Sequence, residues 1–231
     1  MTVICSWKKR EPRVHKIGNI IIKRVGKNHE YSNKGSFSSR LSFAFSAYKQ
    51  LKKEKNVNVV DCYNFTSYIP GYFGAKKIKA KKIATYHETW IGEWIKNKGL
   101  VTGLIGEILE RITLSLKWDL IIPVSNFTKK RLENKGIKPS KLKVVYNGVF
   151  LDEFKQGFVK KNKDFTLICV SRLVKTKRQE VIFKALKELK DKKIKLILVG
   201  TGDDSKYYEK RVKELKLEKQ VVFTGFLKTK I

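Results

Sequence analysis

Cysteine and histidine, the side chains that most often hold structural metals, are scarce in this chain. Its 231 residues include three of each, and the cysteines stand far apart, at Cys5, Cys62 and Cys169. An odd number of widely separated cysteines argues against a disulfide framework and against a thiolate metal site. We therefore expect a chain without a bound metal, at home in a reducing compartment.

Acidic residues are also few, with 21 Asp and Glu against 52 Lys and Arg, which leaves a formal net charge of +31. Such a balance favours polyanionic partners: nucleic acid, anionic lipid head groups or phosphorylated substrates. The lysines are spread widely, with one denser run at 76–82, so a solvated basic surface explains much of the charge. Nucleic-acid-binding motifs and ladders of stacking aromatics are missing, which disfavours specific DNA or RNA recognition.

Long apolar runs are a third absence. No stretch approaches the roughly 20 residues that a membrane-spanning helix needs. The apolar part of residues 1–13 is too short for a signal peptide. These features predict a cytoplasmic protein and leave peripheral contact with a membrane surface open.

What the chain does contain is an alternation of short β-branched runs with longer helical patterns. Apolar runs that predict strands lie at 2–7, 19–25, 56–63, 82–87, 119–125, 141–148, 165–171, 194–200 and 220–226. Near-continuous apolarity is typical of strands buried on both faces of a parallel sheet. Helical periodicity at 36–53 and at 181–189 separates some of these runs. In the first of these segments the residues about one turn apart are Phe37, Leu41, Phe45, Tyr48 and Leu51. The pattern predicts an α/β fold with helices covering a doubly wound sheet.

Residues 149–162 show neither period and predict a linker. The chain then divides into residues 1–148 and 163–231, two Rossmann-like halves. We expect the first half to start one strand late. We expect the second half to be incomplete, because it ends after three strands.

The segment 199–205 requires a comparison with dinucleotide fingerprints, because Gly200 and Gly202 follow a predicted strand and precede a helix. The third glycine is missing, and Asp203 and Asp204 would repel a pyrophosphate at the helix start. A tight turn with one aspartate capping the helix is the better interpretation. Phosphate-loop and zinc-ligand spacings do not occur.

His87 stands at the end of a predicted buried strand and is followed by Glu88. Ligands of open α/β sheets bind at the carboxyl ends of the strands. An imidazole there can orient an acceptor hydroxyl or take its proton. A histidine that merely completes the strand end is the alternative.

The segment 100–116 has a broad apolar stripe that suits either the protein core or a membrane surface. Glu107, Glu110 and Arg111 leave only one polar face. We predict a core helix, with a lipid-contacting helix as the alternative.

Arg172 and Lys177 lie where a buried strand turns into a helix, with no acidic residue nearby before Glu180. A guanidinium, an ammonium and the amides of a helix start together suit a diphosphate. A solvated basic turn is the alternative. The pair predicts an anionic ligand supplied from outside the chain.

Several segments in order resemble the retaining glycosyltransferases of family 4, which have the GT-B fold. They are TYHETW, DLIIPVSNFTKKRL, KLKVVYNGVFLDEF, VSRLVKTKRQEVIFKAL, KLILVGTGD and VVFTGFL. The resemblance implies GT-B architecture, with an acceptor-side N-terminal domain and a partial donor-nucleotide-binding C-terminal domain. It implies a hexosyltransferase lineage that moves a sugar from a nucleotide-sugar donor to a glycan, lipid or small-molecule acceptor, with retention. No metal or other cofactor is implied.

The resemblance also assigns roles to individual residues. Arg172 and Lys177 match the pair that holds the donor diphosphate and stabilises the leaving group. The acceptor side takes His87, with Glu88 beside it. The segment that contacts the nucleotide base is matched by Gly225, Phe226 and Leu227, and the interdomain turn by Asn147 and Gly148. Thr176 and Arg178 depart from the family pattern, which often has an acid and a glycine there.

Larger departures concern the two ends. The family uses a Gly-rich loop upstream and a pair of glutamates eight positions apart downstream, and neither is found in this sequence. We therefore expect the chain to be truncated and to be inactive unless a partner chain completes the C-terminal domain. The alternative is a non-catalytic remnant or accessory subunit that binds a partner chain or anionic membrane.

Overall fold

The computed structural model describes residues 1–28, 37–152, 154, 157, 161–189 and 193–227. The chain divides into two compact units, Met1–Phe150 and Leu151–Ile231. Both alternate strands with helices, so the predicted α/β class is confirmed. The finer division into residues 1–148, a linker at 149–162 and residues 163–231 stays a prediction.

The first unit carries most of the secondary structure. Its strands are β1 (Thr2–Ser6), β2 (Val14–Ile17), β3 (Ile20–Val25), β4 (Val59–Cys62), β5 (Lys81–Tyr86) and β6 (Leu120–Pro123). Its helices are α1 (Phe37–Leu51), α2 (Phe65–Lys77), α3 (Trp94–Lys98), α4 (Leu100–Ser115) and α5 (Asn126–Glu133). Helix α5 begins where Ser125 Oγ accepts a hydrogen bond from Thr128 N at 3.1 Å, as expected of a serine N-cap.

The described strands of this unit form two sheets, ordered β1-β3-β2 and β4-β5-β6. Pairing within β4-β5-β6 is parallel throughout, as predicted. In the other sheet β1 pairs parallel with β3, whereas β2 pairs with it antiparallel. Strand β2 was not predicted from the sequence. All its side chains are exposed, so it lacks the buried apolar pattern by which strands are recognised.

The core of the first unit lies between β4-β5-β6 and its helices. Tyr68 of α2 stacks on Tyr86 of β5 with ring centroids 4.7 Å apart, and its hydroxyl donates to Thr85 O at 2.8 Å. Trp118 is also buried, and its indole N–H donates to Thr113 O at 2.8 Å. The polar atoms of Tyr68 and Trp118 thus have backbone partners, whereas the buried hydroxyl of Tyr86 has none among the described atoms.

Two helical faces differ from the periodicity of the sequence. In α1, Phe37, Leu41 and Phe45 are exposed, whereas Leu51 of the same periodic set is buried, as is Phe43. The predicted core helix at 100–116 exists as α4, but its apolar stripe faces solvent and its buried side carries glycines and a glutamate. Polarity alone misled the assignment, because close backbone packing and a buried carboxylate decided which face turned inward.

Residues 141–148 do not form the predicted strand. The segment follows β6 with backbone hydrogen bonds from Lys143 N to Ile121 O and from Val145 N to Pro123 O, both 3.2 Å. Beyond these contacts its side chains are mostly exposed. The run is apolar enough for a strand but forms only a bridge beside the sheet edge.

The second unit alternates strands with helices around one described parallel sheet, ordered β7-β8-β9. Its two helices pack against each other in one core, where the rings of Phe183 and Tyr208 have centroids 6.0 Å apart. Its elements are β7 (Thr166–Val170), α6 (Glu180–Leu189), β8 (Lys195–Val199), α7 (Ser205–Glu214) and β9 (Val221–Gly225). Phe183, Leu196, Leu198 and Tyr208 are fully buried where the helices cover the sheet. The carboxyl ends of all three strands meet at one edge.

Candidate functional site

The turn between β7 and α6 carries both cations that the sequence singled out. Arg172 comes two residues after β7 ends, and Lys177 closes a single 3-10 turn formed by Lys175–Lys177. Both side chains are exposed. Lys177 does not open the α-helix as predicted, because Arg178 and Gln179 intervene before Glu180. The structure thus places the two cations on one connection at the carboxyl end of the parallel sheet.

Arg178 adopts a left-handed backbone, with φ 53° and ψ 37°. Residues with a Cβ atom reach this region only at a cost of about 1–2 kcal/mol, whereas glycine reaches it freely. This conformation explains in physical terms why the resemblance expects glycine at the position. The turn keeps its shape here at the expense of local strain.

Gln179 fixes the turn from inside the protein. It is 1% exposed, and its Nε2 donates to Ser171 Oγ and to Arg172 O, both at 2.8 Å. Its Oε1 is buried, without a hydrogen-bond partner among the described atoms. Sequence reasoning missed this residue, although a polar side chain just before an amphipathic helix was a signal. Gln179 ties the helix start to the backbone of Arg172.

The loop after β8 packs tightly against the same turn. A Cβ on Gly202 would lie 2.2 Å from Leu173 O, and one on Gly200 would lie 2.2 Å from Ser171 O. Leu173 N donates to Thr201 O at 3.0 Å. The glycines therefore serve a close backbone approach, in agreement with the tight turn predicted from the sequence.

Asp204 supports the turn in a different way from the predicted cap. It stands at the N-cap of α7 without a side-chain capping bond, and its Oδ2 accepts from Lys175 N at 2.9 Å. Tyr208 adds a second brace, because its hydroxyl donates to Val174 O at 3.1 Å. Burial raises the pKa of Tyr208 to about 12, so the hydroxyl stays a donor at neutral pH. The cation-bearing turn is thus held by α7 as well as by α6.

Gly225, Phe226 and Leu227 follow β9 at the same sheet edge. Gly225 has φ 71°, and its carbonyl accepts from Gly200 N at 2.8 Å. Phe226 is 73% exposed and Leu227 is 58% exposed. Gly225 is therefore hydrogen-bonded to the loop that follows β8, and the two residues after it, Phe226 and Leu227, expose apolar side chains.

His87 occupies the corresponding strand end in the first unit. Its side chain is exposed and meets Tyr63 edge-on, with ring centroids 5.0 Å apart. Its carbonyl accepts from Thr128 Oγ1 at 3.0 Å, which fixes the backbone against α5. Glu88 is exposed beside it. Tyr63, which follows β4, was missed by the sequence analysis.

The start of α5 adds polar groups to this edge of the first unit. Asn126 Nδ2 donates to Tyr146 Oη at 2.9 Å. Asn147 and Gly148, the predicted interdomain turn, follow Tyr146 directly and are exposed. His87 therefore directly follows β5, and Asn147 and Gly148 follow the segment that is hydrogen-bonded beside β6. Their roles stay predictions.

Two features of the described ranges bear on other functions. No group of three or more His, Cys, Asp or Glu side chains there is arranged to hold a metal ion. Among the described helices, none combines the length and apolarity that crossing a membrane requires.

Comparisons with known proteins agree with this architecture. Residues 1–153 match the model of Glycosyltransferase Family 4, and residues 151–231 match that of Glycosyl transferases group 1. The chain belongs to Glycosyltransferase Family 4.

The name of one sequence relative specifies a lipid-linked sugar as its acceptor. It is N-acetylgalactosamine-N,N'-diacetylbacillosaminyl-diphospho-undecaprenol 4-alpha-N-acetylgalactosaminyltransferase of Campylobacter jejuni. The two are 33% identical over 113 residues, which is 48% of this chain and 31% of the relative.

Solved structures with the same fold include nucleotide complexes. HepE of Anabaena with UDP-glucose has a TM-score of 0.61 at 17% identity, over 81% of this chain and 52% of that one. TarM of S. aureus, solved with UDP among its ligands, also has a TM-score of 0.61 at 17% identity, over 83% and 37%. These likenesses confirm the GT-B fold. The chain spans about half the length of HepE and less of the other two relatives.

Proposed function

We propose that this chain is the acceptor-side domain and part of the donor-binding domain of a retaining glycosyltransferase that uses a UDP-sugar. The observation that carries the proposal is the β7–α6 turn, which presents Arg172 and Lys177 at the carboxyl end of a parallel sheet. Neighbours of the same fold bind UDP-glucose or UDP. The choice of a UDP-sugar as the donor is carried over from those proteins.

In the proposed mechanism Arg172 and Lys177 hold the donor diphosphate. As the bond from the anomeric carbon to the phosphate oxygen breaks, negative charge develops on that oxygen. The guanidinium and the ammonium stabilise this charge. Gln179 positions Arg172 by bonding its carbonyl. The acceptor oxygen attacks from the face from which the leaving group departs, and its proton passes to the departing phosphate oxygen. The anomeric configuration is thereby retained, and the charge compensation needs no divalent cation.

Two further contacts complete the donor and acceptor assignments. Phe226 and Leu227 lie against the nucleotide base, since their exposed apolar surfaces follow the tied Gly225. His87 orients the acceptor hydroxyl, with Glu88 beside it, at an exposed strand end whose backbone Thr128 fixes. Asn147 and Gly148 form the turn that leads to the second domain.

The acceptor we propose is a sugar carried on a lipid diphosphate, as the Campylobacter relative's name specifies for that enzyme. Such an acceptor places the reaction at the cytoplasmic face of a membrane, where nucleotide-sugars are supplied. The excess of basic residues is compatible with both diphosphates.

Ligand-observed NMR with UDP-glucose, UDP-N-acetylgalactosamine, GDP-mannose and ADP-glucose tests the donor. We expect saturation transfer to the UDP-sugars, strongest at the uracil and ribose protons and competed by UDP. Equal signals from all four sugars, or none from any, would remove the proposed donor site. A transfer assay with the same donors then separates an active enzyme from a binding-only accessory subunit.

A further inference from the structure

Helix α4 turns its apolar side to solvent. The residues of this α4 apolar face are 40 to 73% exposed and are Leu100, Val101, Leu104, Ile105, Ile108 and Ile112. At 3.6 residues per turn most of them follow one stripe along the helix. Isolated exposed leucines are ordinary on protein surfaces, but a continuous aliphatic stripe over about three turns marks an interaction surface.

The opposite side of α4 cannot exchange places with this stripe, because it is packed at backbone distance against α3. A Cβ on Gly103 would lie 2.5 Å from Ile95 Cα, and one on Gly106 would lie 2.4 Å from the ring of Trp94. The two helices are joined at Gly99, which has φ 78°. The orientation of α4 is therefore fixed by its glycine face.

Both acidic side chains of α4 are engaged away from the apolar face. Glu110 is 2% exposed and accepts hydrogen bonds from Trp90 N at 3.1 Å and from Trp94 Nε1 at 2.5 Å. Glu107 accepts from Gly92 N at 2.8 Å and pairs with Arg111 at 2.6 Å. Neither carboxylate of the helix is thus left without a partner.

Exposed cations lie on α4 and next to both of its ends in the chain. Lys96 and Lys98 end α3 and are exposed, and Lys117 follows α4 and is exposed. Arg111 lies on the helix itself, with 63% of its side chain exposed. Ile95 of α3, 46% exposed, adds aliphatic surface beside Lys96. An aliphatic strip bordered by cations is complementary to a surface with apolar depth and anionic head groups.

We propose that the α4 apolar face is a membrane-contact surface that lies in the plane of an anionic lipid bilayer. A helix of 16 residues is about 24 Å long and is too short to span the hydrocarbon core. A second copy of this chain is disfavoured as the occupant, because its net charge of +31 repels another copy. The proposal stands apart from glycosyl transfer, since it concerns binding to lipid without any substrate.

Vesicle sedimentation with the whole chain tests the proposal. Phosphatidylcholine vesicles with about 30% phosphatidylglycerol supply the anionic surface, and phosphatidylcholine alone is the neutral reference. We expect binding to the anionic vesicles that survives about 0.5 M NaCl in part, because the apolar contact is not screened. Ile105→Ser and Ile108→Ser should each lower the partition coefficient by about tenfold. Lys96→Glu with Lys98→Glu should lower it only on anionic vesicles.

Matched controls come from α6. Val181→Ser with Leu189→Ser removes similar exposed aliphatic surface, and Lys184→Glu with Lys187→Glu reverses two exposed charges. Both pairs should bind vesicles nearly as the unchanged chain does, apart from the general loss of charge. No vesicle binding, or equal loss in the α6 and α4 variants, would overturn the proposal. A dimer in solution that Ile108→Ser dissociates would also overturn it, since the face would then bind a second copy.

Discussion

Gly202→Ala should destabilise the second unit without disturbing the first. The added Cβ would lie 2.2 Å from Leu173 O, 2.6 Å from Leu173 C and 2.8 Å from Leu173 N. These are backbone atoms of the turn that carries Arg172, so no side chain can rotate away. Overpacking of this kind costs about 1–3 kcal/mol. Displacement also weakens the hydrogen bonds from Leu173 N to Thr201 O and from Asp204 N to Leu173 O, at about 1 kcal/mol each.

The expected loss is therefore about 3–5 kcal/mol in the free energy of unfolding of this unit. All four tryptophans, Trp7, Trp90, Trp94 and Trp118, lie in the first unit. Urea unfolding followed by tryptophan fluorescence therefore reports that unit, and far-UV circular dichroism reports both. Gly157→Ala is the matched control, since nothing lies within 4 Å of its added Cβ. Equal midpoints for the two variants would refute the argument from close backbone approach.

Four other substitutions test individual contacts and backbone conformations. Arg178→Gly should stabilise the second unit by about 0.5–1 kcal/mol in thermal unfolding, because glycine adopts the left-handed backbone without strain. Lys216→Gly should have the same effect, since Lys216 has φ 58°. A loss of stability in both variants would contradict the proposed strain. Gln179→Leu should cost about 1–3 kcal/mol in the same measurement and weaken UDP binding, whereas an unchanged UDP affinity would deny it a positioning role. Burial raises the pKa of Glu110 above 4.5, so its contribution to stability is fully present below pH 4.5 and is lost as pH rises through the raised value. The unfolding free energy of the unchanged chain minus that of Glu110→Gln should accordingly fall as the pH rises above 4.5 in urea titrations, and a flat difference would count against that pKa shift.

The sequence was sufficient where one physical rule dominates. Buried parallel strands such as β5 and β8 are recognisable by their continuous apolar residues, and the fold class and family inferred from the sequence are confirmed. The rule failed for α4, because Gly103 and Gly106 allow close packing against α3, and this packing outweighs the polarity pattern. It also failed for β2, which has no buried face. Both features depend on neighbouring elements, β3 for β2 and α3 for α4, and neither leaves the buried apolar pattern on which the prediction relied.

The candidate site shows the same division. Strand ends are predictable, so Arg172, Lys177 and His87 fall at the sheet edges where they were expected. The buried brace of Gln179 and the contact of Asp204 with Lys175 N required the structure. Such contacts join loops that follow different strands, and their partners cannot be read from spacing. The functional roles of the three predicted residues remain predictions.

Calorimetric titration of UDP into the unchanged chain, Arg172→Ala and Lys177→Ala tests the central claim most directly, with Lys184→Ala as an exposed-lysine control on α6. Loss of a charged hydrogen bond of about 1.5–3 kcal/mol raises Kd by about 10-fold to 150-fold. We predict such an increase for each of the first two variants and almost none for the control. Affinities that match the control in both variants would contradict a diphosphate site on this turn.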